Sequence, residues 1–171
     1  IDILSNTLWN NWLHDADFRE RLFAHIAHGA HVRVLIYDPE SDAVRQRARI
    51  EKDVPGEMQQ EIKASLVTLA QGRNDLPEST RACLEVRLTT WMLHPVQMIR
   101  VDERMLIAIY LAGRSGGPSP TMQLKGSESA YFRKYAEQFE TLWEWARVLD
   151  DKQFEKIIQE YWALPQPRTE N

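Results

Sequence analysis

The run His31 to Tyr37 (HVRVLIY) is the feature that most constrains what this chain can fold into. β-branched and aromatic residues fill it, and Asp38-Pro39 closes it abruptly, so it reads as a strand that ends at a proline. Upstream, Ile1 to Ser5 is a short apolar run that stops at the polar pair Asn6-Thr7, a first strand followed by a turn. Between the two, Leu8, Trp9, Trp12, Leu13, Phe18, Leu22, Phe23, Ile26 and Ala27 recur at three- and four-residue steps, and Gly29 is placed to end the run. A strand, a helix and a second strand are therefore expected, with the tryptophans of this segment in the core.

The remaining chain alternates between the same two periods. Residues 41 to 76 are helical in composition but broken at Pro55-Gly56, which predicts two helices. Cys83 to Leu88 returns to a strand pattern. Val96 to Val101 and Met105 to Leu111 are apolar runs separated by Asp102-Glu103-Arg104, the pattern of a β-hairpin. Gly113 to Pro120 is a loop by composition, and Thr121 to Leu124 suits a last short strand. Ser127 or Ser129 can cap a helix whose apolar set is Phe132, Tyr135, Phe139, Leu142, Trp143 and Ala146. Asp150-Asp151 then starts a second helix, which Pro165 and Pro167 stop. The order predicts an α/β fold, a mixed sheet flanked by helices with two helices at the C-terminal end. Residues 1–164 form a single domain on this reading, and 165–171 a tail or linker.

Composition narrows the function classes. At 171 residues and 43% hydrophobic, the chain has one domain's worth of core material. A formal net charge of -4 gives no general attraction to phosphate backbones or anionic lipid, so nucleic acid is an unlikely partner on this count. Cys83 is the only cysteine, which rules out an internal disulfide and favours a reducing, cytoplasmic setting. No run of about 18 to 20 apolar residues is present to span a membrane. The chain opens at Ile1 inside a strand-like run, as a segment of a longer polypeptide would.

Chemistry is sparse. No G-x-G-x-x-G, G-x-x-x-x-G-K-[ST] or G-x-S-x-G occurs, which leaves a dinucleotide fold, a P-loop and a hydrolase elbow without support. His25 and His28 lie three apart on one helical face without an acidic partner, so no metal and no cofactor are expected. In open α/β sheets ligands bind beyond the carboxyl ends of parallel strands, which directs attention to Asn6 and Asp38. A cleft at the sheet edge would add Arg87, Gln97, Arg100 and Tyr110. Arg87 and Arg100 could clasp an anion bidentately, or could be ordinary strand residues paired with Glu85 or Asp102. Trp143, Trp145 and Trp162 exceed what one helical stripe requires, so one of them either faces a partner or belongs to a second buried face.

Taken together, the strand ending in a polar turn, the helix ending at Gly29, VRVLIYDP, and the hairpin LHPVQMIRVDERMLIAIY resemble one repeat of the phospholipase-D-like fold. That family's signature reads H-x-K-x-x-x-x-D, and its histidine attacks phosphorus. Asp102 stands at the family's aspartate. Counting back places Pro95 at the nucleophile and Gln97 at the lysine, with His94 one residue out of register and therefore facing the wrong way along a strand. Ile109-Tyr110 replace the expected glycine-serine. The resemblance implies a degenerate, non-catalytic repeat: a ligand-sensing or protein-interaction domain of a larger bacterial regulatory or signalling protein. Its partner would be a small anionic ligand or a protein, and a homodimer is open. The alternative is a homodimeric phosphodiesterase acting through His94.

Overall fold

The computed structural model describes residues 1–8, 12–51, 54–90, 96–111 and 119–163. In chain order the elements are β1 (Asp2–Leu4), α1 (Ala16–Ala27), β2 (Val32–Tyr37), α2 (Asp42–Glu51) and α3 (Glu57–Asp75). A 3-10 turn (Glu78–Cys83) leads into β3 (Leu84–Thr89), β4 (Val96–Val101), β5 (Arg104–Ile109) and β6 (Thr121–Lys125). Then come α4 (Ala130–Trp145), β7 (Arg147–Val148) and α5 (Asp151–Ala163). The strands form one mixed sheet in the order β6-β5-β4-β1-β2-β3-β7. β1, β2 and β3 run parallel, as strands joined by helical crossovers must, while β4, β5 and β6 are antiparallel neighbours.

Helices cover both faces of the parallel half, which explains why β2 is almost uninterruptedly apolar. Ile3, Val34, Ile36, Val86 and Leu88 face a core shared with α1, α2, α3 and α5. Leu4, Leu35, Met98, Met105 and Ile107 face a second core under α4, closed by Phe139 and Trp143. The predicted α/β class and its mixed, helix-flanked sheet are thus present.

Local chemistry sets the element ends. The apolar periodicity suggested a helix from Leu8, but α1 starts at Ala16 because Asp15 accepts from the Phe18 amide at 2.9 Å and caps it. At its other end Gly29 has φ +91°, with Gly29 N–H donating to the Ile26 carbonyl and Ala30 N–H to the His25 carbonyl, a closure that needs a residue without a Cβ strain penalty. Asp150 and Gln153 exchange side-chain-to-amide bonds of 2.9 Å each and fix the start of α5. Ser129 is the N-cap of α4 but its hydroxyl makes no capping bond. The two-residue strand β7 had no sequence signal; it exists because Arg147 and Val148 pair with Leu88 and Arg87.

Gly72 on α3 has a packing role. A Cβ there would lie 2.1 Å from Cζ of Phe23, whose ring rests against the bare helix backbone. Gly72→Ala should therefore lower stability, because displacing the ring costs about 1–3 kcal/mol and exceeds the roughly 1 kcal/mol of helix propensity gained. In a Phe23→Ala background the same substitution should become stabilising. Denaturant midpoints for the four proteins of this cycle check the sign reversal.

Candidate functional site

The six residues expected to line one cleft are placed in three separate environments. Asp2, Arg33 and Arg100 are register partners across β1, β2 and β4 and form an ion ladder beneath α4. Arg33 Nε lies 2.7 Å and Arg100 Nε 2.6 Å from the two Asp2 oxygens. Glu140 on α4 closes the ladder with a bidentate pair to Arg33 at 2.7 and 2.8 Å and a contact to Arg100 at 3.2 Å. The Arg33 hydrogen bond holds the Glu140 carboxyl below its ordinary range, and the same bond raises Arg33. Arg87 donates to the Trp143 carbonyl at 2.8 Å and lies over the Trp143 ring at 4.4 Å. Both arginines are thus committed within the fold, to partners other than Glu85 and Asp102, and do not form an anion clasp.

Asp38 occupies a second place. It pairs with Arg147 at 2.9 Å at the rim of a groove of about 640 Å³ outside the carboxyl ends of β2 and β3. Leu66, Val67, Leu88, Leu149 and Ile157 line its floor, and Lys63 and Glu40 pair across the rim at 2.8 Å.

Asn6, Gln97 and Tyr110 belong to the third environment, a polar cluster at the carboxyl end of β1. Asn6 and Gln97 are buried, as are Ser5 and Arg47. The Asn6 amide donates to the Tyr110 hydroxyl at 3.4 Å, and Arg47 on α2 lies 4.7 Å from the Tyr110 ring while pairing with Glu51. Desolvation pushes the Tyr110 phenol up to about 12, so it stays protonated near neutral pH. Among the described residues, Asn6 Oδ1 and Arg47 Nη2 have no hydrogen-bond partner. His94 and Pro95, which bear on the phosphodiesterase alternative, lie outside the described residues, as do Trp9 and residues 112–118 of the expected loop. Asp102 sits in the turn before β5 with φ +51°.

Sequence reasoning missed the opposite face of the hairpin. Along β5 and β6, Arg104 stands directly across from Lys125, Leu106 from Gln123, and Ala108 from Thr121. Alternation turns these six side chains away from α4, whose core takes Met105 and Ile107. All but Ala108 are exposed, Leu106 at 45% and Val101 beside it at 42%. Directly opposed like charges repel, and neither Arg104 nor Lys125 makes an ion pair among the described residues. Glu103 at the turn instead accepts from Ser127 at 3.3 Å. Alternation in MLIAI and TMQLK was the available signal, and it was legible only once the α4 side was known.

A family model described as Domain of unknown function (DUF5919) matches residues 13–150. The match neither carries nor requires a phospholipase-D-like ancestry. No curated protein matches the sequence. One solved structure it is similar to is that of TrmBL2, described as an archaeal chromatin protein with a novel mode of DNA binding. The likeness has a TM-score of 0.48 at 15% identity and covers 85% of this chain but 43% of that one, so the chain spans under half of its length. The reading as a ligand-sensing domain for a small anionic ligand is corrected on its own residues, because Arg87 and Arg100, which were to clasp the anion, are bonded to Trp143, Asp2 and Glu140 within the fold. The expectation that nucleic acid is an unlikely partner is corrected by the exposed, directly opposed Arg104 and Lys125, a local basic patch that a net charge of -4 does not exclude. The physical fault in the expectation is that net charge is a sum over the chain and sets no limit on a local surface. Among the described residues no helix is long and apolar enough to cross a membrane.

Proposed function

From the premise that the chain belongs to the DUF5919 family, we propose that it contacts duplex DNA through the exposed β5–β6 face that carries Arg104, Gln123 and Lys125. The observation that carries the reading is the directly opposed Arg104 and Lys125, exposed and without acidic partners among the described residues. Their side chains leave the sheet about 5 Å apart. One phosphate between them relieves the repulsion that the strand register imposes, and phosphate contacts of this kind position a protein on the duplex. Further along the same face, the Gln123 amide offers the paired donor and acceptor that suit an adenine edge, and Thr121 and Ala108 are small enough to meet a thymine methyl.

The net charge of -4 keeps the affinity low. Binding in the nonspecific range, on the order of 10⁻⁴ to 10⁻⁶ M at physiological salt, is expected. Fluorescence anisotropy with a labelled duplex, read across a salt series, tests the surface. Arg104→Ala with Lys125→Ala should weaken binding and lower the log–log salt slope by about 0.9 for each phosphate that the protein no longer neutralises. An unchanged slope, or no binding by the parent protein at low salt, would overturn the proposal.

A further inference from the structure

β6 is the last strand of the sheet, and its outer edge pairs with nothing among the described residues. The hydrogen-bond phase along that edge follows from its ends. Ile109 N–H donates to the Pro120 carbonyl at 3.0 Å, and Gly126 N–H donates to the Glu103 carbonyl at 2.9 Å. Antiparallel ladders alternate, so Met122 and Leu124 direct their backbone groups toward β5. Thr121, Gln123 and Lys125 therefore direct their N–H and C=O groups outward. Natural edges are usually blunted by proline, a bulge, charged side chains or a covering segment; Thr121–Lys125 contains no proline and carries a single charge, Lys125, at its end.

The edge is also complementary to itself. We propose that two copies of this chain join by antiparallel pairing of β6 with β6, centred on Gln123, to make one continuous sheet. In that register Gln123 meets its own counterpart, and Thr121 meets Lys125 of the second copy, with both outward groups of every residue bonded. Met122, 39% exposed in the single chain, comes beside Leu124 of the other copy on the α4 side. Each Lys125 faces a threonine and not the second lysine, so no like charges oppose across the joint. A reversed or shifted register loses the central bonds or sets Lys125 against apolar neighbours. The occupant that fits this edge is therefore a second copy.

Strand pairing about a two-fold axis keeps each face continuous. The two Lys125 side chains then share one face, separated by four residues along the strand, or roughly 14 Å, close to the ~12 Å width of a major groove. This last consequence rests on the proposed DNA-contacting surface; the pairing itself does not.

Two five-residue strands bury less than the ~1,200 Å² of a standard interface, so association should be weak and concentration-dependent. Sedimentation velocity of the whole chain without DNA, over a wide concentration range, tests it. The parent should shift from monomer toward dimer as concentration rises. Gln123→Pro should remain monomeric while keeping its thermal midpoint, because it deletes an outward N–H that the β5 ladder does not use. A parent that stays monomeric at every concentration overturns the pairing, as does a dimer that persists in Gln123→Pro. With no nucleic acid present, either failure leaves the DNA reading standing.

Discussion

Replacing Asp2 by alanine should cost about 3–5 kcal/mol of stability, the usual penalty for removing one member of a buried charge set. Its side chain is 7% exposed and accepts from Arg33 on one flanking strand and Arg100 on the other. Loss of that carboxylate leaves two half-buried guanidiniums one strand apart on either side of an alanine, sharing Glu140 alone. The penalty arises from the arginines that remain, not from the bonds that vanish. Denaturant unfolding should show a lowered midpoint at an unchanged slope. A loss under about 1 kcal/mol would mean that water already solvates the ladder as it does a surface pair. Glu140 provides the pH test of the same network. Its carboxyl is held below the ordinary value of 4.5, so its stabilisation is fully present above that value and is lost as pH falls through its lower folded value. Glu140→Gln should remove that part of the acid limb.

The ladder also marks where sequence reading stopped. β2, the break at Pro55-Gly56 and the hairpin around Asp102-Glu103 were legible because period, turn chemistry and proline act over a few residues. Arg87 and Arg100 were recognisable as strand arginines, but their partners lie far along the chain: the Trp143 carbonyl for one, Asp2 and Glu140 for the other. Only the register of β1 against β4, and the seat of α4 on that register, brings Asp2 and Glu140 to Arg100. Asn6 and Tyr110, two of the six residues expected in one cleft, lie together because each follows a strand that ends on the same side of the sheet. The companion that burial selects, Arg47, stands in the charged run Arg45 to Asp53, whose composition alone fits a solvated helix face. Alternation likewise cannot say which face of a hairpin a distant helix will cover, which is why the Arg104–Lys125 side was invisible until α4 was placed.

Glu51→Ala should be the other strongly destabilising change, again by about 3–5 kcal/mol. The Arg47 and Glu51 side chains are 7% and 6% exposed, one turn apart on α2, and Arg47 lies over the Tyr110 ring. An exposed pair at this spacing contributes only ~0.3–0.5 kcal/mol. Here the cation cannot recover hydration when its carboxylate is removed, because the carboxyl end of β1 closes over it. Tyr110 supplies a readout that separates lost charge from lost packing. Burial is the largest of the effects that together set its phenol at about 12 instead of 10.0; hydrogen bonds with the Asn6 amide and Ser5 lower it, the charge on Glu51 raises it by less than burial does, and Arg47 lowers it. The sign follows from linkage: Tyr110 contributes stability that is fully present below pH 10 and is lost as pH rises to about 12. Glu51→Ala leaves Arg47 uncompensated beside the phenol, so the Tyr110 transition should move down while burial still holds it above 10, as read by ultraviolet titration against a Tyr110→Phe control. A destabilised protein whose Tyr110 transition is unmoved from that of the parent would place the loss in helix packing and not in the buried charge.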